Sequence, residues 1–171
     1  MFCTASAHAP DLALFAGSFS AAWYNEPRLA KDLGTITANT RHRYRTVRVF
    51  DDGTLDEFQA WVESNAADGE LDVIWLTGSM PSLLWPEEKP VSRARRWLNA
   101  GNMFINVGQR FAFQSHECGG PCPENGDEAA TDILGLGVNP FLFAIQAPAA
   151  VEVNVFFSKT ETGEWFSKWY A

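Results

Sequence analysis

The residue types best suited to chemistry crowd into one stretch, Ser-His-Glu-Cys-Gly-Gly-Pro-Cys-Pro-Glu-Asn-Gly-Asp-Glu, residues 115–128. His116, Cys118 and Cys122 offer three ligands to a metal, whereas a structural zinc takes four. A fourth would have to come from distant Cys3, His8 or His42, and no metal site is assigned. A nucleophilic Cys118 needs a depressed thiol pKa, and its neighbours Glu117 and Gly119 supply no positive charge. Gly119-Gly120-Pro121 forms a turn that lets Cys118 and Cys122 meet, so this pair is the candidate disulfide. Two free thiols in a reducing compartment are the alternative. On this reading the stretch is a stapled loop at the rim of a site rather than a reactive centre.

A second group of candidates sits where apolar runs end in small polar residues. Gly17-Ser18-Phe19-Ser20, Thr77-Gly78-Ser79 and Gly108-Gln109-Arg110 each leave such a run, and Asp51-Asp52 leaves another. In a parallel sheet, ligands bind beyond the carboxyl ends of the strands. Ser18, Ser20, Asp51, Asp52, Thr77, Ser79, Gln109 and Arg110 are therefore the ligand-binding candidates, with Trp85 in the loop that follows. The plainer reading is that tight strand exits need Gly and Ser for their backbone. No G-x-S-x-G elbow, P-loop or dinucleotide fingerprint accompanies these residues. Catalytic residues are not assigned, and the chain reads as a binding protein rather than an enzyme.

The elements that must carry these residues alternate regularly. Strands are expected at 11–17, 44–50, 71–78, 102–108, 141–146 and 151–157, the last alternating as an edge strand does. The run 71–78 is apolar on both faces, as a sheet covered by helices on both sides requires. One helix starts at Asn25-Glu26-Pro27 and turns Leu29, Ala30 and Leu33 to one face. Another, 54–65, opens with a capping box of Thr54 and Glu57. A third, 90–101, starts at Pro90, faces Val91, Ala94, Trp97 and Leu98 inward, and leaves its three arginines outside. A fourth helix covers 127–137. Strands alternating with helices imply right-handed βαβ units. The expected fold is one three-layer α/β/α sandwich with a mostly parallel central sheet over residues 1–171. Residues 1–10 form an N-terminal extension, and 158–171 form an aromatic tail that docks on the body.

Composition removes several classes of function. The net charge is −8, which opposes nucleic-acid binding. Arg41 to Arg45 and Arg93 to Arg96 are read as solvated faces. No run of about 18 apolar residues is present, so no membrane span is expected. Seven Trp and thirteen Phe point to a well-filled core. Ala7-His8-Ala9 resembles the end of a leader, so a cytoplasmic protein and an exported one with a truncated start both fit.

The segment LDVIWLTGSMPSLLWPEEKPVSRARRWLNAGNMFINVGQ, residues 71–109, resembles the class I glutamine-amidotransferase-like superfamily, and within it non-amidotransferase members such as ThuA-like domains. The shared pattern is Asp-Val-x-Trp-x-x-Gly, then a helix ending Leu-x-x-Gly, then a strand closing on Gly, and this chain has Gly101-Asn102 where a Gly-Gly pair is commoner. The resemblance implies a flavodoxin-like sheet. Gln109 stands where amidotransferases carry their nucleophilic cysteine, so the scaffold is implied without its thiol chemistry. It further implies a module that binds a small molecule, a carbohydrate or another protein domain, with no cofactor. The opening LFAGSFSAAWYNEPRLAKDL resembles flavodoxin-like FMN reductases, which would bring Ser18, Ser20 and Asn25 to an FMN phosphate and Thr77, Ser79 and Trp85 to its ring. A glycan-directed hydrolase using Asp51 or Asp52 with Gln109 is the third alternative.

Overall fold

The computed structural model of the chain describes residues 9–17, 26–85, 91–107, 111–113, 115, 125–136, 154–159 and 165–170. Strands β1 (Leu12–Ala16), β2 (Val47–Asp51), β3 (Val73–Thr77), β4 (Met103–Val107), β5 (Asn154–Lys159) and β6 (Trp165–Tyr170) form one sheet in the order β2-β1-β3-β4-β5-β6. The first four are mutually parallel, β5 runs against them, and β6 pairs antiparallel with β5. This is an α/β sandwich with a flavodoxin-like parallel sheet, as the sequence pattern implied.

Two of the expected strand roles change. The strand expected at the sheet edge is β5, and it is paired on both sides, to β4 and to β6. The aromatic tail supplies β6, so it extends the sheet as a strand instead of packing upon it. Alternation of apolar and polar residues marks a strand with unlike faces, which an interior antiparallel strand has as readily as an edge one. The run 141–146 lies outside the described residues.

Helix α1 (Glu26–Thr40) covers one face of the sheet, where Leu33 and Ile36 pack against Leu12, Leu14, Val73 and Ile105. Ala30, expected on that stripe, is exposed, because the contact is made one turn later. The opposite face carries α2 (Leu55–Ala66), α3 (Arg93–Asn99) and α4 (Gly126–Leu134). Phe58, Trp61, Ala94, Trp97, Ala129 and Ile133 from these helices meet Ala13, Phe15, Ile74, Leu76 and Phe104 from the strands. Strands β1, β3 and β4 are thus buried from both sides, which accounts for their continuous apolar sequence. No helix among the described residues is long and apolar enough to cross a membrane.

Helix starts depart from the local signals. Thr54 is the N-cap of α2, but its hydroxyl makes no capping bond. Instead it accepts the Asp51 amide at 2.8 Å and donates toward the Asp51 carbonyl and carboxylate. Helix α3 starts at Arg93 rather than Pro90, with Ser92 as the working N-cap, its side chain accepting the Arg95 amide. Of its three arginines, Arg93 does not stay outside. Its side chain is largely covered, donating to the Leu83 carbonyl and to Glu63.

At the amino ends of the strands runs a polar ladder that fixes the register. Asp11, Asp72 and Asn102 immediately precede β1, β3 and β4, and all three are buried. The Asp11 amide donates to Asp72 Oδ1 at 2.6 Å, and the Asp72 amide donates to Asn102 Oδ1 at 2.8 Å. Asp11 in turn accepts the Thr46 amide and both Nε and Nη2 of Arg45. Burial works to raise the Asp11 pKa, but Arg45 and Thr46 overcome it and hold the carboxyl below its usual range. Burial raises the pKa of Asp72, opposed by the Asp11 amide and reinforced by the charges of Asp68 and Asp11. Asp72 Oδ2 has no hydrogen-bond partner among the described residues.

The two aspartates therefore act oppositely with pH. Asp11 stabilises the fold above the unfolded carboxyl pKa, and that contribution is lost as pH falls through its lowered folded value. Ionised Asp72 costs stability above its raised folded pKa, and the cost vanishes below the unfolded value near about 3.9. Asp72→Asn keeps the Oδ1 acceptor and removes the charge. It is expected to raise stability at pH 7, because it removes a buried charge that Asp68 and Asp11 repel, while its amide nitrogen takes the unmet place of Oδ2. The gain should shrink toward zero as urea melts are repeated down to acid pH, and an equal gain at every pH would contradict this account.

Candidate functional site

The site is set by the direction in which the chain winds. From β1 the chain crosses to β2 on one side, then returns past β1 to β3 and β4 on the other. The strand order thus reverses between β1 and β3, and their carboxyl ends diverge there, which is where ligands bind in sheets of this kind. The register places Asp51, Ala16, Thr77 and Val107 in one row across the sheet at that end.

Past this row the exits stay knitted. The Gly17 amide donates to the Thr77 carbonyl at 3.2 Å, and the Gly78 amide to the Val107 carbonyl at 3.0 Å. Gly78 holds a φ of +103°, a conformation for which glycine is suited. The carbonyl of Ser79 presses on Gly17 so closely that a Cβ at position 17 would lie 2.3 Å from it. The β1 exit and the β3 exit are therefore in backbone contact at the switch point.

Of the sequence candidates, Asp51, Asp52, Thr77, Ser79 and Trp85 fall within the described residues. Thr77 is buried and donates its hydroxyl to the Phe15 carbonyl at 2.9 Å, so it ties β3 to β1. Asp51 builds its own turn, its Oδ1 accepting the Gly53 amide at 2.9 Å and the Thr54 hydroxyl at 3.1 Å. Asp52 follows in that turn, half-buried. The Trp85 indole packs on the core and donates to Asp132 Oδ2 of α4 at 3.2 Å. Ser79 differs from Thr77, Asp51 and Trp85: the residue is only 1 % exposed, and its hydroxyl has no hydrogen-bond partner among the described residues. Ser18, Ser20, Asn25, Gln109, Arg110, His116, Cys118 and Cys122 lie outside the described residues.

Several residues at this end escaped the sequence reading. Met80, one residue past Ser79, forms a parallel bridge with Ser115. Asn125 then closes a neck, its Nδ2 donating to Ser115 Oγ at 2.8 Å and to the Ala112 carbonyl at 3.1 Å. Its amide donates to the Phe113 carbonyl at 2.8 Å. Ala112 holds a left-handed φ of +61° while almost fully buried, a strained state for a residue with a Cβ. The only local cue was that Ser115 and Asn125 bracket a stretch rich in turn formers. The polar ladder had a clearer one: Asp11, Asp72 and Asn102 each stand directly before an apolar run.

The strand order and the paired exits of β1 and β3 define a doubly wound α/β domain with its crevice position at the β1/β3 switch point. No protein-family model matches the chain, and no curated protein or solved structure matches it significantly.

Proposed function

We propose that the chain is a non-amidotransferase member of the class I glutamine-amidotransferase-like superfamily, working as a binding module for a small polar ligand of the carbohydrate class. The observation that carries the reading is Ser79: a buried hydroxyl without a protein partner among the described residues, at the switch point, while neighbouring Thr77 and Asp51 serve the frame. A buried hydroxyl left unmet costs about 1–3 kcal/mol, a cost that a ligand's polar atom would remove. Gln109, which the resemblance aligns with the nucleophilic cysteine of amidotransferases, supports binding rather than thiol chemistry.

A thermal-shift panel of mono- and disaccharides tests this. At least one sugar is expected to raise the melting temperature of the wild type and to leave Ser79→Ala unmoved. Without ligand, Ser79→Ala is expected to match or exceed wild-type stability, by up to about 1 kcal/mol, because it deletes an unmet polar group. Absence of any shift across the panel removes the proposal. A purified protein carrying the visible absorption bands of a flavin would replace it with the FMN reading.

A further inference from the structure

We propose that two copies of this chain pair antiparallel through their β2 strands, forming one sheet continuous across a two-fold axis at Arg48. The inference rests on the free edge of the sheet and the charges along it, independently of any ligand.

Strand β2 ends the sheet, with β1 on one side and no strand on the other among the described residues. The Leu12 amide donates to the Thr46 carbonyl at 2.9 Å within the register Leu12↔Val47 and Leu14↔Val49. That pattern turns the main-chain groups of Thr46, Arg48 and Phe50 toward β1 and those of Val47, Val49 and Asp51 outward. The outward Asp51 groups are closed by Thr54, which accepts the amide and donates its own amide to the carbonyl. Among the described residues, Val47 and Val49 are left presenting amides and carbonyls at the edge, a template for another strand. Val49 also exposes 52 % of its surface, one of two large apolar side chains among the described residues that do so.

The charge along this edge changes sign from end to end. At the amino end of β2 the turn carries exposed Arg41, His42 and Arg43. At the carboxyl end stand exposed Asp51 and, in the first turn of α2, Asp56 and Glu57. A parallel partner copy would set like charge on like. An antiparallel copy about a two-fold at Arg48 sets the basic turn of each chain beside the acidic turn of the other, and pairs Val47 of each copy with Val49 of the other. An isologous interface needs this self-complementarity. On a chain of net charge −8, a separate acidic partner would match the basic turn but meet repulsion at the acidic one.

Sedimentation of the full chain at about 100 µM is expected to give twice the 19.0 kDa mass of one chain, with dissociation promoted by salt. Arg43→Glu and Asp56→Arg, each alone, bring like charges together at both symmetric contacts and should raise the dimer dissociation constant at least about tenfold. Mixing the two variants should restore the dimer, since each then offers what the other needs. Val49→Pro removes only an outward amide, so it should leave a folded monomer. Circular dichroism confirms folding of each variant. A wild-type monomer, a single variant that stays dimeric, or a mixture of folded variants that stays monomeric would overturn the proposal.

Discussion

Gly17→Ala is expected to cost about 3 kcal/mol, near the top of the range for overpacking a closed site. The new methyl would lie 2.3 Å from the Ser79 carbonyl oxygen and 3.2 Å from the Phe15 ring. The first of these contacts is with backbone, and that backbone is held by its neighbours. Gly17 itself is bonded to Thr77, Gly78 to Val107, and Met80 to Ser115. Relief therefore requires the β1 and β3 exits to part, breaking bonds on both sides of the switch point. In a protein of this size such a loss lowers the melting temperature by about 6–12 °C. Gly34→Ala is the internal comparison. It lies within α1 with open space around it, so alanine should stabilise by about 0.5–1 kcal/mol. Equal stability of Gly17→Ala and wild type would show that the two exits are not seated together.

Trp97→Ala is expected to cost about 4 kcal/mol, within the range for emptying a buried aromatic position. Trp97 is fully buried, heading the largest side chains of the core. Its ring lies 5.6 Å from that of Trp61 and 6.4 Å from that of Phe104, centroid to centroid. These contacts are links in a row, Phe50–Trp61–Trp97–Phe104–Phe111, that runs from beneath α2 to the segment after β4. The indole also donates to the Met103 carbonyl at 3.1 Å, tying α3 to the start of β4. Trp97→Phe separates the effects. It keeps most of the apolar volume and loses the hydrogen bond, so it should cost about half as much as alanine. Urea midpoints with unchanged m-values measure both. A Trp97→Phe variant as damaged as Trp97→Ala would show that the hydrogen bond to Met103, not the packing, is what Trp97 chiefly contributes.

The parallel core was legible in the sequence because burial on both faces leaves an unbroken apolar run, as in Val73-Ile74-Trp75-Leu76. Helix α4 was expected over 127–137 but ends at Leu134, because Gly135 takes the left-handed conformation that glycine favours and caps it. What escaped was competition among nearby partners. Thr54 could have capped α2 through Glu57, yet Asp51, three residues earlier, took its hydroxyl. Ser92 lies two residues past Pro90 and captured the α3 start. Spacing shows that such bonds are possible, and only the path of the chain decides among them.

The same limit applies to the candidate site. Thr77, Asp51 and Ser79 look alike as small polar residues at strand exits. They separate only once 62 residues of chain bring Phe15 under the Thr77 hydroxyl. The aromatic tail was expected to dock on the body, and its pairing as a strand with neighbouring β5 was not anticipated. The polar ladder could have been anticipated, since a buried acid before an apolar run needs donors, and the neighbouring strand's first amide is the nearest.

The neck made by Asn125 has a consequence for how this protein could vary over evolutionary time or be engineered. Residues 115 and 125 are held together by their own side chains, and 113 and 125 by their backbone. The distance the chain must bridge between them is thus set by the body of the domain, whatever sequence joins them. Longer or shorter segments could be exchanged at that position at the modest entropic cost of a closed loop, while the strand exits keep their places. The domain in effect carries a socket beside its switch point, into which different segments can be fitted without redesigning the sheet that supports them.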